Sequence, residues 1–471
     1  MLFLLGFCNK LQILQTYIKM INQNNNKMKK SLFSLAALLL AGFTATAQEV
    51  KFEEFDLDNG LHVILHQDNT APVVTVGVMY DVGGKDLGGN DESGKRTGFA
   101  HFFEHLLFEG TKNIGRGEWF EIVSSNGGSN NANTTQDRTY YYEIFPSNSL
   151  EVGLWMESER MLHPVIDQVG VDTQNEVVKE EKRLRYDNSP YGGILGAIGE
   201  NLFKVHPYKY KNIGEMEDLD ASTLDEFNAY FKKYYVPNNA VLVVAGDIKT
   251  NDAKKLVSNY FNDIPKGENF TRSFPKETPI TETIEANYYD NNIQIPAVIA
   301  TYRTPGFKER DAYVLDMISS YLSGGKSSVL YKKIVDQQKQ ALQVQAVNIG
   351  QVDYNVFALF ALPLGDVPLD TLLEEMDEEV LKMQTELISE RDFQKLQNQF
   401  ENNFVNSNSS ISGIANSLAN YYLLYDDVNL INNEINIYRS ITREDIQAAA
   451  KKYLNPNQRL VLDYLPKKDD N

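Results

Sequence analysis

Three side chains that can bind and use a metal ion lie within one short stretch of the sequence, TGFAHFFEHLLFEGT at residues 97–111. On a helix, His101 and His105 would be one turn apart, so both could direct a ring nitrogen at the same ion. Glu104 would then lie beside that ion, where its carboxylate could accept a proton from a metal-activated water. The chain has only six histidines, so a metal pair is favoured over two surface histidines that fall one turn apart by chance.

The residues around these side chains predict a helix that would hold them in place. Thr97 is a candidate N-cap and Gly110 a candidate stop. At about 100° per residue, one face of this helix is apolar and suited to burial. That face consists of Phe99, Phe102, Phe103, Leu106 and Leu107, and the opposite face consists of His101, Glu104, His105 and Phe108. The order H-x-x-E-H inverts the zincin motif H-E-x-x-H and is the inverzincin signature, which predicts a catalytic zinc site.

A catalytic zinc site normally has three protein ligands, so a third is expected from another segment. Residues 173–185, TQNEVVKEEKRLR, have the pattern of a charged amphipathic helix. Three apolar side chains share one face of it: Val177, Val178 and Leu184. Glu181 projects near the centre of that face, and a carboxylate among apolar residues has to be paired, protonated or metal-bound. Glu181 is therefore the predicted third ligand; a salt-bridged Glu181, with Glu180 or neither residue as ligand, is the alternative.

Three segments together resemble the pitrilysin/insulinase (M16) family of zinc peptidases, in its short bacterial and processing-peptidase branch. They are TGFAHFFEHLLFEGT, GGSNNANTTQDRTYYYEIFP and NEVVKEEKRLRYDNSPYG, and the resemblance extends over nearly all of the chain after residue 50. The family's third ligand is a glutamate at the distance that separates Glu181 from His105, 76 residues. The resemblance implies one zinc ion per chain on His101, His105 and Glu181, with Glu104 as the general base. Many members carry a second glutamate where this chain has Gln174.

The family resemblance also implies where a peptide substrate would lie. Asn131, Ala132 and Thr134 match an edge strand that takes up the substrate as an added strand. Backbone pairing of this kind binds extended peptides with little demand on their sequence. The implied activity is zinc-dependent cleavage of peptides or unfolded protein segments. From composition alone, an ordinary hairpin turn explains this Gly- and Asn-rich segment equally well.

An internal repeat predicts two tandem domains. Thr223–Glu226 begins a helix that leads to a Pro-Asn break and a strand, and Thr442–Asp445 begins the same pattern 219 residues later. The predicted fold class is α+β, with two homologous domains that each have a mainly antiparallel sheet covered by helices. The resemblance implies that these form half of a clamshell. The predicted boundaries are a catalytic zinc domain at 48–262, a linker at 263–280, and a repeat domain without the metal motif at 281–471.

The beginning of the chain predicts export. Residues 28–47 have a basic start, an apolar core and Ala-Thr-Ala before Gln48, which is the pattern of a secretory signal peptide. Residues 1–27, which include the single cysteine Cys8, do not fit this pattern and are predicted to be an extension upstream of a true start at Met28. The predicted location is the periplasm or the exterior, with membrane association left open. An uncleaved N-terminal anchor is the alternative.

The charge balance limits the partners. The net charge of −19 argues against nucleic-acid binding. An acidic surface usually serves solubility, although an acidic chamber that favours basic peptides, as in the processing peptidases, is also a hypothesis.

The second half of the chain predicts a partner. Single-chain members of the family carry an Arg and a Tyr there that hold the substrate and stabilise the transition state, and the matching positions are Val335 and Leu342. Apolar side chains can neither hold a substrate through hydrogen bonds or charge nor stabilise the charge of a transition state. The resemblance therefore implies a partner M16-like subunit that lacks the zinc motif, or a second copy of this chain. The rival interpretation is a non-catalytic core or scaffold subunit that binds peptides or partner chains, against which the intact metal motif argues.

Overall fold

The computed structural model describes residues 49–90 and 94–467. The predicted signal peptide at 28–47, the extension at 1–27 and Cys8 lie outside the described residues. No helix in the described part of the chain is long and apolar enough to cross a membrane.

The described chain contains both strands and helices, with the following bounds. The strands are β1 (Glu53–Asp56), β2 (His62–Gln67), β3 (Val73–Tyr80), β4 (Gly88–Asn90), β5 (Gly94–Arg96), β6 (Ser129–Thr134), β7 (Thr139–Pro146), β8 (Ala240–Gly246), β9 (Ile284–Asp290), β10 (Ala297–Pro305), β11 (Ala341–Ile349), β12 (Tyr354–Pro363) and β13 (Leu460–Pro466). The α-helices are α1 (Phe99–Leu106), α2 (Glu118–Ser125), α3 (Leu150–Leu162), α4 (Gln168–Lys182), α5 (Ile194–Leu202), α6 (Met216–Asp220), α7 (Leu224–Tyr234), α8 (Thr250–Phe261), α9 (Arg310–Ser323), α10 (Leu369–Thr385), α11 (Glu390–Ser407), α12 (Ile411–Tyr425), α13 (Leu430–Arg439) and α14 (Arg443–Tyr453). Wider π-helical turns follow at Arg183–Asp187 and Tyr331–Gln337.

Two sheets with the same strand order form the centres of the two halves. The first sheet has the order β1-β2-β8-β3-β7-β6, and the second has β9-β13-β10-β12-β11. Apart from the extra β1, the two correspond strand for strand, and each is antiparallel except for one parallel pair, β2 with β8 and β9 with β13. The two repeat helices predicted from Thr223 and Thr442 are present, and each begins with a capping box. The predicted α+β fold with an internal repeat is therefore confirmed.

Helix α1 is held by its apolar face, as predicted. Phe99, Phe102, Phe103 and Leu106 are almost completely buried, and the ring of Phe99 stacks on Phe227 of α7 with centroids 4.8 Å apart. Burial of this face fixes which side of α1 remains for chemistry, because residues one turn apart share a face.

The predicted start of α1 is wrong by one residue and its predicted end by two to three. The helix begins at Phe99, because Gly98 takes a left-handed conformation at φ +81° and occupies the cap position. A Cβ at Gly98 would lie 2.7 Å from the Ile213 carbonyl oxygen, so glycine is required there. Thr97 is not the cap; its hydroxyl donates to Asp218 Oδ2 at 2.6 Å. The last helical residue is Leu106, before Gly110 is reached.

The apolar face predicted around Glu181 is also wrong in part. Helix α4 begins earlier than predicted, with Asp167 accepting a hydrogen bond from the Gly170 N–H at 2.8 Å, and it ends at Lys182. Val178 is buried, but Val177 is 43% exposed and Leu184 is 64% exposed. The reason is the π-helical turn that follows Lys182, which changes the winding before Leu184, and the position of Val177 on the solvent side of α4.

The two halves contact each other beyond their connecting segment. Residues 265–283, which join them, contain no helix or strand. Arg272 in this segment lies 3.2 Å from Asp86 of the first half. Helix α12, from the second half of the sequence, buries Ile414 and Leu418 against β2, β3 and β8 of the first sheet.

Candidate metal centre

Three potential ligand atoms converge where α1 and α4 pack together. The Nε2 atoms of His101 and His105 lie 3.5 and 3.0 Å from Glu181 Oε2. All three ligand atoms lie within 4.8 Å of one another. In the part of the chain that the structure describes, this is the one group of three or more His, Cys, Asp or Glu side chains with such an arrangement.

The spacing and surroundings of these atoms fit a single zinc ion. Ligand atoms placed tetrahedrally around zinc at 2.0–2.1 Å lie about 3.4 Å from one another, close to the two observed separations. Glu181 Oε2 is buried, and among the described residues no hydrogen-bond donor is aligned with it. A buried carboxylate oxygen that accepts no well-aligned hydrogen bond is costly, and a bound cation would satisfy it. Two imidazoles and one carboxylate are also a donor set of known catalytic zinc sites.

The carboxylate of Glu181 is ionised at neutral pH. Contact with His101, and then with the second histidine, lowers the pKa of this carboxyl well below its usual range, although burial opposes the shift. Its second oxygen, Oε1, lies 2.9 Å from Arg185 Nη1. The alternative ligand, Glu180, has a side chain that is 57% exposed and forms a surface ion pair. The geometry therefore favours Glu181 over Glu180.

A buried arginine fixes the end of α1 that carries the metal motif. Arg160 of α3 donates from Nη1 to the Leu107 carbonyl oxygen at 2.9 Å, and its guanidinium lies 4.0 Å from the Trp119 ring centroid. Its charge is balanced by Glu157 at 3.0 Å and Glu143 at 3.2 Å. Sequence reasoning missed this residue, because nothing local to α3 indicates which carbonyl group its arginine reaches.

The hydrogen bond of Gln174 is made to a residue outside the metal-ligand cluster. Its amide donates to Glu109 Oε1, just beyond the end of α1. Glu109 also lies 2.6 Å from Arg116 Nε, so it is buried but charge-compensated. Gln174 thus connects α4 to the segment that follows α1, the two elements that carry the ligands.

Glu104 and the ligands line one open cleft of about 520 Å³. Glu104 is half-buried on α1, on the same side as the two histidines. Further side chains that sequence reasoning did not single out complete the walls: Phe120, Asn130, Asn133, Arg185, Tyr186, Asn212 and Ile213. The predicted substrate residues Asn131, Ala132 and Thr134 line this same cleft.

The predicted substrate strand is the edge of the first sheet. Strand β6 pairs with β7 and with no other described strand. Thr135 N–H donates to the Arg138 carbonyl oxygen at 2.9 Å, which closes the hairpin with a hydrogen-bonded pair. Because bonded and non-bonded pairs alternate along an antiparallel ladder, Ala132 and Thr134 direct their backbone groups to the free edge, whereas Asn131 pairs with β7.

Two of those edge groups already have partners within the chain. The Asn131 side chain accepts a hydrogen bond from Ala132 N–H at 2.8 Å, and Asn212 Nδ2 donates to the Thr134 carbonyl oxygen at 2.9 Å. The Ala132 N–H becomes available to another strand only when the Asn131 side chain turns away. By the same alternation Asn130 also faces the free edge, which the sequence did not indicate.

The two apolar positions noted in the second half lie outside the metal cleft. Val335 is part of the π-helical turn after α9 and packs against the core of the second half. Leu342 is 47% exposed on β11. Neither residue lines the cleft described above.

Two family descriptions match consecutive parts of the chain. Residues 62–210, which contain the metal cluster, match the family described as Insulinase (Peptidase family M16). Residues 221–400 match the description Peptidase M16 inactive domain.

Relatives and solved structures agree with this assignment over most of the chain. The zinc protease PqqE of Helicobacter pylori is 29% identical over 436 residues, which are 91% of this chain and 97% of that protein. The crystal structure of a protease from Helicobacter pylori has a TM-score of 0.82 and 27% identity, over 89% of this chain and all of that one. The periplasmic protease PqqL from Escherichia coli shares the fold, with a TM-score of 0.74 and 17% identity, over 89% of this chain and 48% of that one.

Proposed function

This chain belongs to the insulinase (M16) family of peptidases, and we propose that it is a zinc-dependent endopeptidase that cleaves peptides or unfolded protein segments. The observation that carries the proposal is the convergence in one cleft of three ligand atoms, on His101, His105 and Glu181, with Glu104 and an edge strand. The zinc-protease name of the Helicobacter pylori relative supports it.

The residues have separate roles in the proposed reaction. His101, His105 and Glu181 would hold one zinc ion, which when bound supplies a Lewis acid that lowers the pKa of water and polarises the scissile carbonyl. Glu104 accepts a proton from the attacking water and passes it to the nitrogen of the leaving amine. Strand β6 takes up the peptide as an added strand through Ala132 and its neighbours on the free edge.

We propose that the active assembly contains a second unit of this size. The side chains of Val335 and Leu342 can neither donate a hydrogen bond nor carry charge to a substrate. The Arg and Tyr that hold the substrate in single-chain family members would therefore come from a partner M16-like subunit without the zinc motif, or from a second copy of this chain. The chain corresponds to 48% of the longer Escherichia coli protein with the same fold, which supports the pairing of two such units.

Export is proposed from residues 28–47 alone, and places the enzyme in the periplasm or outside the cell. The second candidate function is a non-catalytic scaffold subunit, favoured by the match of residues 221–400 to a domain described as inactive. That candidate keeps the peptide-binding edge strand but predicts no zinc and no turnover.

The test measures zinc content and cleavage of a quenched peptide by purified residues 48–471, alone and with candidate partner chains. One zinc per chain with activity alone supports the peptidase and excludes an obligatory partner. One zinc with activity only after a partner is added supports the paired assembly. Absence of zinc would favour the scaffold subunit.

A further inference from the structure

A second, smaller cavity continues from the metal cleft. It has a volume of about 190 Å³ and shares two walls with the cleft, Tyr186 and Asn212. Asn212 donates to the carbonyl oxygen of Thr134, at the end of the edge strand. A peptide that lies along β6 therefore passes the mouth of this cavity, which is called the side pocket below.

The walls of the side pocket combine aliphatic and aromatic side chains with a few polar ones, and they come from both halves of the chain. The polar side chains are Gln136, Lys211, Asn212 and Gln351, and the aliphatic or aromatic ones are Tyr186, Tyr208, Tyr210, Leu195, Ile198, Phe203, Ile349 and Val356. The last two lie on β11 and β12 of the second half. An apolar cavity of about 150 Å³ holds a benzene molecule, so by volume the side pocket is large enough for one phenyl ring or branched aliphatic side chain.

The charge of the side pocket disfavours a basic guest. Among the described residues that line it, Lys211 is the only charged one, and no carboxylate faces the cavity. The Lys211 ammonium lies 3.5 Å from Glu215 and 3.8 Å from Glu200, outside the lining. Burial of a second cation beside Lys211 would lack a counter-charge of its own and would be costly.

We propose that the side pocket is a specificity site that receives an aromatic or branched aliphatic side chain of the peptide substrate and discriminates against arginine and lysine. This inference rests on the proposed peptidase function and assigns a substrate class to it. It contrasts with the basic-peptide preference that the acidic composition alone suggests. Removal of apolar area from water supplies the affinity for the guest.

The first experiment measures kcat/KM for quenched peptides with an Ala, Gly and Ser background. Each peptide carries a single Phe, Leu, Ala or Arg at one of the positions around the cleaved bond. At one position, Phe and Leu are expected to exceed Ala by about tenfold or more, which is typical of an apolar pocket, and Arg is expected to be no better than Ala. Equal values for Phe and Ala at every position, or a preference for Arg, would overturn the proposal.

Variants at the mouth of the pocket connect the preference to the structure. Leu195 is 63% exposed on α5, so Leu195→Glu should fold normally while it places a carboxylate at the apolar rim. The Phe preference is expected to fall about tenfold, toward the Ala value. Leu195→Trp, which narrows the mouth, should reduce the preference for large side chains without the charge. The matched control is Leu381→Glu, since Leu381 is 55% exposed on α10 and lines neither cavity.

A binding measurement separates failure of this proposal from failure of the proposed function. Fluorescein-labelled Phe and Arg peptides are titrated into the Glu104→Gln chain, which should bind without turnover, with and without Leu195→Glu. Cleavage without a Phe preference would overturn the side pocket alone. Absence of cleavage, with Phe binding that depends on Leu195, would overturn the peptidase function and leave the pocket supported. Neither cleavage nor selective binding would overturn both.

Discussion

Lys85 and Asp353, 268 residues apart in sequence, form a salt bridge of 2.8 Å that joins the two halves of the chain. Lys85 is only 5% exposed and also lies 2.8 Å from Asp137 of the first half. Burial alone would raise the pKa of Asp353, but its contacts with His206 and Lys85 lower it below the usual range. This bridge holds the turn between β11 and β12, and hence one wall of the side pocket, against the first half.

Replacement of Lys85 by methionine should destabilise the chain. Lys85→Met leaves two carboxylates without their shared cation, and loss of one partner of a buried ion pair costs about 3–5 kcal/mol. The free energy of unfolding, from urea denaturation, measures this. Lys112→Met, at an exposed lysine, is the control and should change it little. A loss below about 1 kcal/mol would mean that the bridge does not hold the halves together.

Zinc binding should depend on Glu181 and not on the residue before it. Glu181→Gln removes the charge that the two imidazoles face, so the purified protein should contain far less than one zinc per chain. Glu180→Gln makes the same chemical change on the exposed side and should keep its zinc. Metal analysis of both variants decides between the two carboxylates, and the reverse result would make Glu180 the ligand.

Turnover should depend on Glu104 while metal binding does not. Glu104→Gln preserves the size of the side chain but cannot accept a proton, and loss of a general base lowers kcat by about 10²–10⁴-fold. Zinc content should remain at one per chain, because Glu104 is not among the three converging ligand atoms. Normal peptide cleavage by this variant would show that another group is the base.

A partly buried carboxyl in the second half should make stability depend on pH. Burial raises the pKa of Asp316 to about 6, although hydrogen bonds from Asn348 and Tyr438 oppose the shift. Between its unfolded pKa near 4 and the folded value, the folded chain keeps a proton that the unfolded chain has released. The free energy of unfolding should therefore fall as pH rises through this window, by about 2 kcal/mol.

Asp316→Asn should weaken that dependence, because the amide does not titrate while it keeps the shape of the side chain. Unfolding in urea at intervals between pH 4 and pH 7 measures the slope. Asp366→Asn, at an exposed position, is the control and should retain the slope of the parent chain. An unchanged slope in Asp316→Asn would assign the dependence to other groups.

The sequence could predict the parts of this molecule that depend on local periodicity. The spacing of His101 and His105 and the apolar face of α1 follow from helix geometry alone, and both capping boxes follow from residues three apart. The start of α1 could not be predicted, because Gly98 is fixed by its approach to Ile213, more than a hundred residues away. Contacts with distant segments also decide the surroundings of Glu181. The residue faces the two histidines, but Val177 and Leu184, predicted to lie on its buried face, are exposed.

Contacts between segments far apart in sequence could not be predicted, because they do not depend on local periodicity. Neither the salt bridge of Lys85 with Asp353 nor the hydrogen bond of Arg160 with the end of α1 leaves a local pattern. The sequence also could not predict which backbone groups of β6 point to the free edge of the sheet. This depends on how the hairpin at Thr135 closes, which decides that Ala132 faces the free edge.

The strand order has a consequence for how the chain is made. β8 lies between β2 and β3, so the first sheet can be completed only after residue 246 has left the ribosome. Its rear face, with Ile64, Met79 and Val243, is covered by α12, which ends at Tyr425. At the usual synthesis rate of about 5–20 residues per second, that apolar face stays uncovered for roughly 10–40 s. A chain whose synthesis stops in this interval would expose an apolar, aggregation-prone sheet face. A chaperone that covers this face would therefore raise the yield of the complete protein.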